Sequence, residues 1–336
     1  MTKRERLEHL LTGQQVSPPP FHPILMHFAA RYAGSTYDIL AQDHRVLVES
    51  NIQCLDAFDL DAVSVISDPF RETAAFGAQI DFPYDQVPRC RAPIVEAPSD
   101  VNDLPRPDIR TAPRTRDRID GAREYRARLG NAVPLIGWIE GPLAEACDLA
   151  GVNRMLLWLI TEPDAARRLM EKCLLTAQDF AQAQIEAGCG IMGIGDAICS
   201  QISLPMYRRF VWPLHQQLFT FVRGLGARLK LHICGDITHL LPALAELPID
   251  ILDLDWMVDI QNAHVQVGPE MTLCGNLDPV RVIQDLSAQE VYTRGAALVE
   301  AEHGRRFILS GGCEITVNTP PENLAQLGEA RYGETS

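Results

Sequence analysis

The sharpest chemical signal in the chain is His232-x-Cys234. On an extended segment residues i and i+2 share a face, so an imidazole and a thiolate two apart can grip one ion together. Cys313 follows a late apolar run and offers a second sulfur. Borderline-soft zinc favours one nitrogen and two sulfurs, and three protein ligands leave a fourth position for water or substrate. The alternative is that these are core residues, since free cysteine is among the most buried types. Cys274 stands at a comparable position and is a rival ligand.

Other polar groups stand at the ends of apolar runs. Arg31 follows the first run and Asp68 the second, while Glu140 and Asp196 close the third and fourth. Asp253 and Asp255 end the sixth, Asn276 the seventh, and Glu314 follows Cys313 after the eighth. Asp253 or Asp255 is expected to hold the second ring nitrogen of His232, because bound imidazoles are normally oriented by a carboxylate or carbonyl. Glu314, water or a substrate thiol is expected as fourth ligand. Asp196 could instead cap the helix that begins near Leu204, and Asn276 and Asp278 fit a helix N-terminal turn.

The runs themselves lie at 21–28, 61–66, 133–139, 190–195, 229–233, 250–254, 271–275 and 306–310. Helical periodicity fills much of the space between them, over 37–57, 163–187, 205–224, 236–247 and 287–302. Continuous apolar runs alternating with helices predict parallel strands buried on both faces. Eight such units close as a (β/α)8 TIM barrel, which leaves no edge to protect; a doubly wound open sheet is the alternative. Thr2 and Glu5 form a capping box for an N-terminal helix ending near Gly13, within an extension spanning 1–20. Residues 71–118 carry seven prolines and read as an irregular insertion after the second strand, with a possible hairpin. The rest forms one domain over 1–336, with a frayed C-terminal RYGETS. In a barrel of this kind the strand ends share one mouth, so the polar groups named above are expected to line it with His232.

Composition narrows the function classes. Of 336 residues, 46% are apolar and the formal charge is -14, with no basic stripe to bind nucleic acid. No apolar run reaches the ~20 residues of a membrane span, and the first residues lack the apolar stretch of a secretory signal. Nine cysteines in such a chain are more consistent with thiols or ligands than with a disulfide framework, and a cytoplasmic location is expected.

The ordered segments MHFAARYAG, SDPF, AAFGAQIDF, EGPLAEACDL, IGDAICSQISLPMYRRFVWPLHQQL, LHICGDI, CGNLDPV and LSGGCEI resemble the uroporphyrinogen decarboxylase superfamily, within it the cobalamin-dependent methyltransferase branch. The resemblance covers nearly the whole chain and implies a (β/α)8 barrel. It implies Zn2+ on His232, Cys234 and Cys313, and a corrinoid (cobalamin) carried by a partner protein, because the chain has no D-x-H-x-x-G segment of its own. The acceptor it implies is coenzyme M, another thiol or a folate. The decarboxylase proper uses two arginines after the first strand, an aspartate after the second and a late histidine. Here Arg31 and Asp68 match, His27 replaces the other arginine, and Cys313 stands at or near the late histidine. Two alternatives follow: a metal-free decarboxylase of an acidic substrate using Asp68 and Arg31, or a non-enzymatic barrel that binds a corrinoid or tetrapyrrole.

Overall fold

The computed structural model describes residues 1–333. Its main sheet is parallel, with strand order β1-β4-β5-β6-β7-β8-β9: Val63–Ser64, Leu135–Glu140, Ile191–Gly195, Arg228–Ile233, Ile251–Leu254, Thr272–Leu277 and Phe307–Gly311. The eighth stave is the segment around Phe21, which forms a parallel bridge to Leu309. Asp61 N donates to Phe21 O at 2.8 Å on its other side, so this segment closes the sheet between β9 and β1. The fold is therefore a (β/α)8-type barrel and not a doubly wound open sheet.

The first stave is shorter than the 21–28 run. Pro18, Pro19, Pro20 and Pro23 carry no N–H, so few ladder bonds can form there, and His27–Tyr32 is already a helix. The helical stretch 37–57 divides into Tyr37–Gln42 and His44–Ala57 because Asp43 is extended and caps the second piece through Arg45 N. The 205–224 stretch becomes a short turn, a π-helical segment at Tyr207–Val211, and the helix Trp212–Gly224. Pro213 cannot donate to a carbonyl one turn back, and the widened turn absorbs that loss. Within 236–247 only Leu241–Leu244 is helical.

The 71–118 segment holds a short helix at Arg71–Ala75 and an antiparallel hairpin of β2 (Ile80–Asp81) and β3 (Arg89–Cys90). Its C-terminal bound moves back, because the helix Pro113–Leu129 starts inside it with proline in the first turn, where a missing N–H costs nothing. The N-terminal helix Lys3–Leu11 carries the capping box. Its Leu7, Leu10 and Leu11 plug the barrel floor against Ile136, Ile191, Ile251 and Ile308. The C-terminus is not frayed at Arg331, which is buried and pairs with Asp59 and Asp61; Glu334, Thr335 and Ser336 lie outside the described residues. Among the described residues no helix is long and apolar enough to cross a membrane.

Candidate metal centre

Strand β6 runs Arg228–Ile233 and stops one residue before Cys234. Lys230, His232 and Cys234 therefore follow one another at two-residue spacing along the barrel wall. The His232 Nε2 atom lies 3.2 Å from Cys234 Sγ and 3.7 Å from Cys313 Sγ, and the two sulfurs are 3.9 Å apart. Ligand distances of about 2.05 Å for nitrogen and 2.3 Å for sulfur around a tetrahedral ion require separations of about 3.6 and 3.8 Å. The three donor atoms thus stand close to the spacing that a zinc ion needs. His232 is buried, and both cysteines are half-buried at the barrel mouth.

The three groups share charge unequally. Hydrogen bonding from Cys234 holds Cys313 down to about 5, against burial and with help from His232. Cys234 is pushed up by that same contact and by burial. Burial opposes a charge on His232, but Cys313 and the Asp253 carboxylate carry its pKa up to about 9. A thiolate beside an imidazolium is a pair from which a divalent cation displaces protons.

Cys313 reaches the cluster because Gly312 lets its loop touch the neighbouring one. A Cβ at Gly312 would stand 2.2 Å from Trp256 N, and Gly312 N donates to Leu277 O at 2.8 Å. Gly312→Ala must push the loop outward. We expect it to weaken zinc binding at least about tenfold, comparable to losing a supporting group of a metal ligand, with a chelator competition as the measure.

The remaining sequence-identified groups divide. Asp253 Oδ2 lies 3.6 Å from His232 Nδ1, an atom with no hydrogen-bond partner. Asp255, the other expected partner, instead accepts from Gly235 N at 2.8 Å and Met257 N at 3.2 Å, fixing the turn after Cys234. Asn276 Nδ2 donates to Asp255 O and Val258 O, which ties the same turn down. Glu314 is not within the three-residue cluster. Its Oε1 accepts from His27 N at 3.1 Å, and burial raises its pKa to about 7. Cys274, the rival ligand, lies deeper in the barrel beside Lys230 Nζ.

Glu140, Gly195, His232 and Asp253 share one register row across β4 to β7. Glu140 Oε1 accepts from Arg71 Nη2 at 2.7 Å, and Oε2 lies 3.3 Å from the place where Gly195 would carry a Cβ. The missing side chain at Gly195 thus leaves room for a buried carboxyl in the row of His232. Burial raises its pKa well above the usual range, with Glu72 and Asp148 adding to the effect and Arg71 opposing it.

Three further groups are held by partners within the chain. Asp196 is fully buried: its oxygens accept from Leu143 N and Ala144 N, capping the helix Pro142–Ala150 and not the one near Leu204, and from His215 Nε2 at 2.9 Å. Asp68 is buried against Arg114 Nη2 at 2.5 Å and Ser67 Oγ at 2.7 Å. Arg31 is exposed and pairs with Asp85 Oδ2 at 2.9 Å, while His27 Nε2 meets Asp85 Oδ1 at 2.7 Å. Asp85 and Arg114 carry no sequence signal, because both belong to the 71–118 segment, whose docking on the barrel no periodicity encodes. Lys230 is legible in the sequence as the cation of the 229–233 run, two before His232.

A parallel eight-stave barrel with an imidazole and two thiols gathered at the C-terminal end of its strands is the architecture of an enzyme mouth. Residues 2–333 match the uroporphyrinogen decarboxylase (URO-D) family, and the chain belongs to it. Named relatives are of two kinds. A uroporphyrinogen decarboxylase from Teredinibacter turnerae is 28% identical, over 95% of this chain and 94% of the relative. A methylated-thiol–coenzyme M methyltransferase from Methanosarcina mazei is 25% identical, over 96% of this chain and 86% of the relative. A solved structure described as a methyltransferase from Methanosarcina mazei superposes with a TM-score of 0.90 at 21% identity, covering 98% of both chains, which establishes the shared fold.

Proposed function

We propose that this chain is a zinc-dependent methyltransferase moving a methyl group between a corrinoid on a partner protein and an acceptor, a thiol such as coenzyme M or a folate. The observation that carries this reading is the convergence of His232 Nε2 with the sulfurs of Cys234 and Cys313 at near-tetrahedral spacing. The 25% identical methylated-thiol–coenzyme M methyltransferase supports it.

His232, Cys234 and Cys313 would hold a zinc ion, which would supply the Lewis acidity to make a thiol a nucleophile at neutral pH. Two thiolates and a neutral imidazole would bring the charge of a zinc-loaded centre to about zero, which would leave it open to an anionic sulfur. Asp253 stands behind His232, its Oδ2 3.6 Å from Nδ1, on the side from which a ligating histidine is oriented. Glu140, fixed by Arg71 and with its pKa raised well above the usual range by burial, is the carboxyl in the row of His232.

The decarboxylase reading needs free cations to meet substrate carboxylates. Arg31 and His27 are both engaged by Asp85, and Asp68 is engaged by Arg114. Those charges are answered within the chain, which weighs against an acidic tetrapyrrole at this mouth.

The test uses zinc-loaded protein, methylcob(III)alamin as methyl donor and 2-mercaptoethanesulfonate as acceptor. Expected are a thioether product and the absorbance of cob(I)alamin under anaerobic conditions, with no carboxyl loss from uroporphyrinogen. Decarboxylation by metal-free protein, with no methyl transfer to a thiol or from a methylfolate, would overturn the proposal.

A further inference from the structure

Beneath His232 the barrel interior holds a charge that its apolar surroundings do not explain. Lys230 precedes His232 by two residues on β6, on the same face of the strand. It is only 2% exposed, among the least accessible large side chains in the molecule. Its ammonium lies 2.9 Å from Asp253 Oδ2, 3.5 Å from His22 Nδ1 and 3.8 Å from Cys274 Sγ. Of those three neighbours, the carboxylate answers its charge. Asp253 is itself 1% exposed, and the oxygen that meets Lys230 is the one 3.6 Å from His232 Nδ1. The interior thus contains a line of contacts: Lys230, Asp253, His232, then the two sulfurs.

Stability does not account for this line. Taking an ammonium and a carboxylate out of water costs several kcal/mol per ion, and apolar residues of the same volume often serve a core as well or better. Composition adds a second observation. Of 30 basic residues, three are lysines (Lys3, Lys172 and Lys230), and one of the three stands inside the barrel. An ammonium is a compact charge with three rotatable donors, which suits three partners converging from different strands; the flat fork of arginine does not.

We propose that Lys230 is a positioning residue of the metal centre, fixing the Asp253 carboxylate against Nδ1 of His232 so that Nε2 is presented to the ion. The inference rests on the metal-binding part of the reading above. The physical basis is that the partner of one ring nitrogen decides which nitrogen carries the proton and where the ring points. Nδ1 has no hydrogen-bond partner and faces Asp253 Oδ2 at 3.6 Å, and Nε2 is the atom that faces both sulfurs. With Lys230 replaced by methionine, Asp253 would be a buried carboxylate without its counter-charge, and its hold on Nδ1 is lost.

Zinc affinity is read by competition against a chromophoric chelator for the wild type, Lys230→Met, Asp253→Asn and the double variant. Each single change is expected to weaken binding about 10–100-fold, the usual effect of removing the group behind a ligating histidine. The double variant should be no weaker than the worse single one, because both changes break the same contact. Lys230→Met binding zinc within threefold of the wild type overturns the inference, as does a double variant whose loss is the product of the two. If Lys230→Met does not fold, Lys230→Gln is read in its place: the same loss is expected, and zinc binding within threefold of the wild type overturns the inference. A wild type that binds no zinc removes the metal reading and this inference together. Zinc binding that is indifferent to Lys230 removes this inference alone.

Discussion

Cys313→Ala is expected to take the protein from about one tightly held zinc per chain to none that survives a chelator, and methyl transfer with it. The remaining donors, His232 and Cys234, sit two residues apart at the end of a single strand. Cys313 alone brings a ligand from the far side of the mouth, in the loop after β9. Structural zinc sites with a full donor set bind with about 10–16 kcal/mol. Losing one of three protein ligands removes roughly a third of that, or about 10²–10⁴ in affinity. Cys173→Ala is the control, because that thiol is fully buried in the helix Pro163–Glu186 and absent from the cluster. It should cost stability and leave zinc untouched. The measurement is zinc content after dialysis against a chelator, followed by competition to obtain the affinity. Retention of one zinc per chain at wild-type affinity by the Cys313 variant would eliminate the His-Cys-Cys centre.

The sequence carried the cluster's location well because two simple periodicities specify it. Spacing of two on an extended run places His232 and Cys234 together, and the succession of apolar runs puts the end of β9 at the same mouth as the end of β6. Position at a strand end did not specify where a side chain turns. Asp196 and Glu140 both stand at such ends, but the N-terminus of the helix Pro142–Ala150 draws Asp196 to its free N–H groups, and Gly195 leaves a gap that Glu140 occupies. Arg31 and Asp68 read as a pair suited to an acidic substrate. Their actual partners, Asp85 and Arg114, approach from distant sequence positions that only the folded insertion brings near. The boundaries moved for local reasons: missing proline donors shortened the first stave, and a proline in the first turn opened the helix at 113. Lys230 was visible as a residue, but its meaning depends on Asp253 and His22 from two other segments, which no local pattern relates.

Asp61→Ala is expected to destabilise the fold by about 3–5 kcal/mol, because it removes the buried carboxylate of the Arg331 pair and leaves that arginine only the half-exposed Asp59. Asp61 stands just before β1, where the barrel closes on its first stave, and is 1% exposed. One oxygen accepts from Phe21 N at 2.8 Å, and the other from Arg6 Nη1 at 2.8 Å. Arg331, buried near the C-terminus, pairs with the Phe21-bound oxygen as well. A single carboxylate thus ties the N-terminal helix, the first stave and the last helical turn to the seam between β9 and β1. Alanine leaves Arg331 Nη1 without its partner, unpairs Phe21 N and frees Arg6 at once. Asp59 offers the comparison, since it also meets Arg331 but is 55% exposed at its side chain. Asp59→Ala should cost less than about 1 kcal/mol, the ordinary scale for a solvent-screened pair. Urea unfolding followed by tryptophan fluorescence measures both. The seam also carries the site: the Phe21 segment bonds Leu309 of β9, and Ile315 N, two residues past Cys313, donates to Ile24 O at 3.0 Å. Loosening it should therefore weaken zinc binding in Asp61→Ala and leave it unchanged in Asp59→Ala. Equal costs for the two variants would show that the buried pair does not hold the barrel closed. The position of Cys313 would then depend on β9 and the Gly312 contact alone.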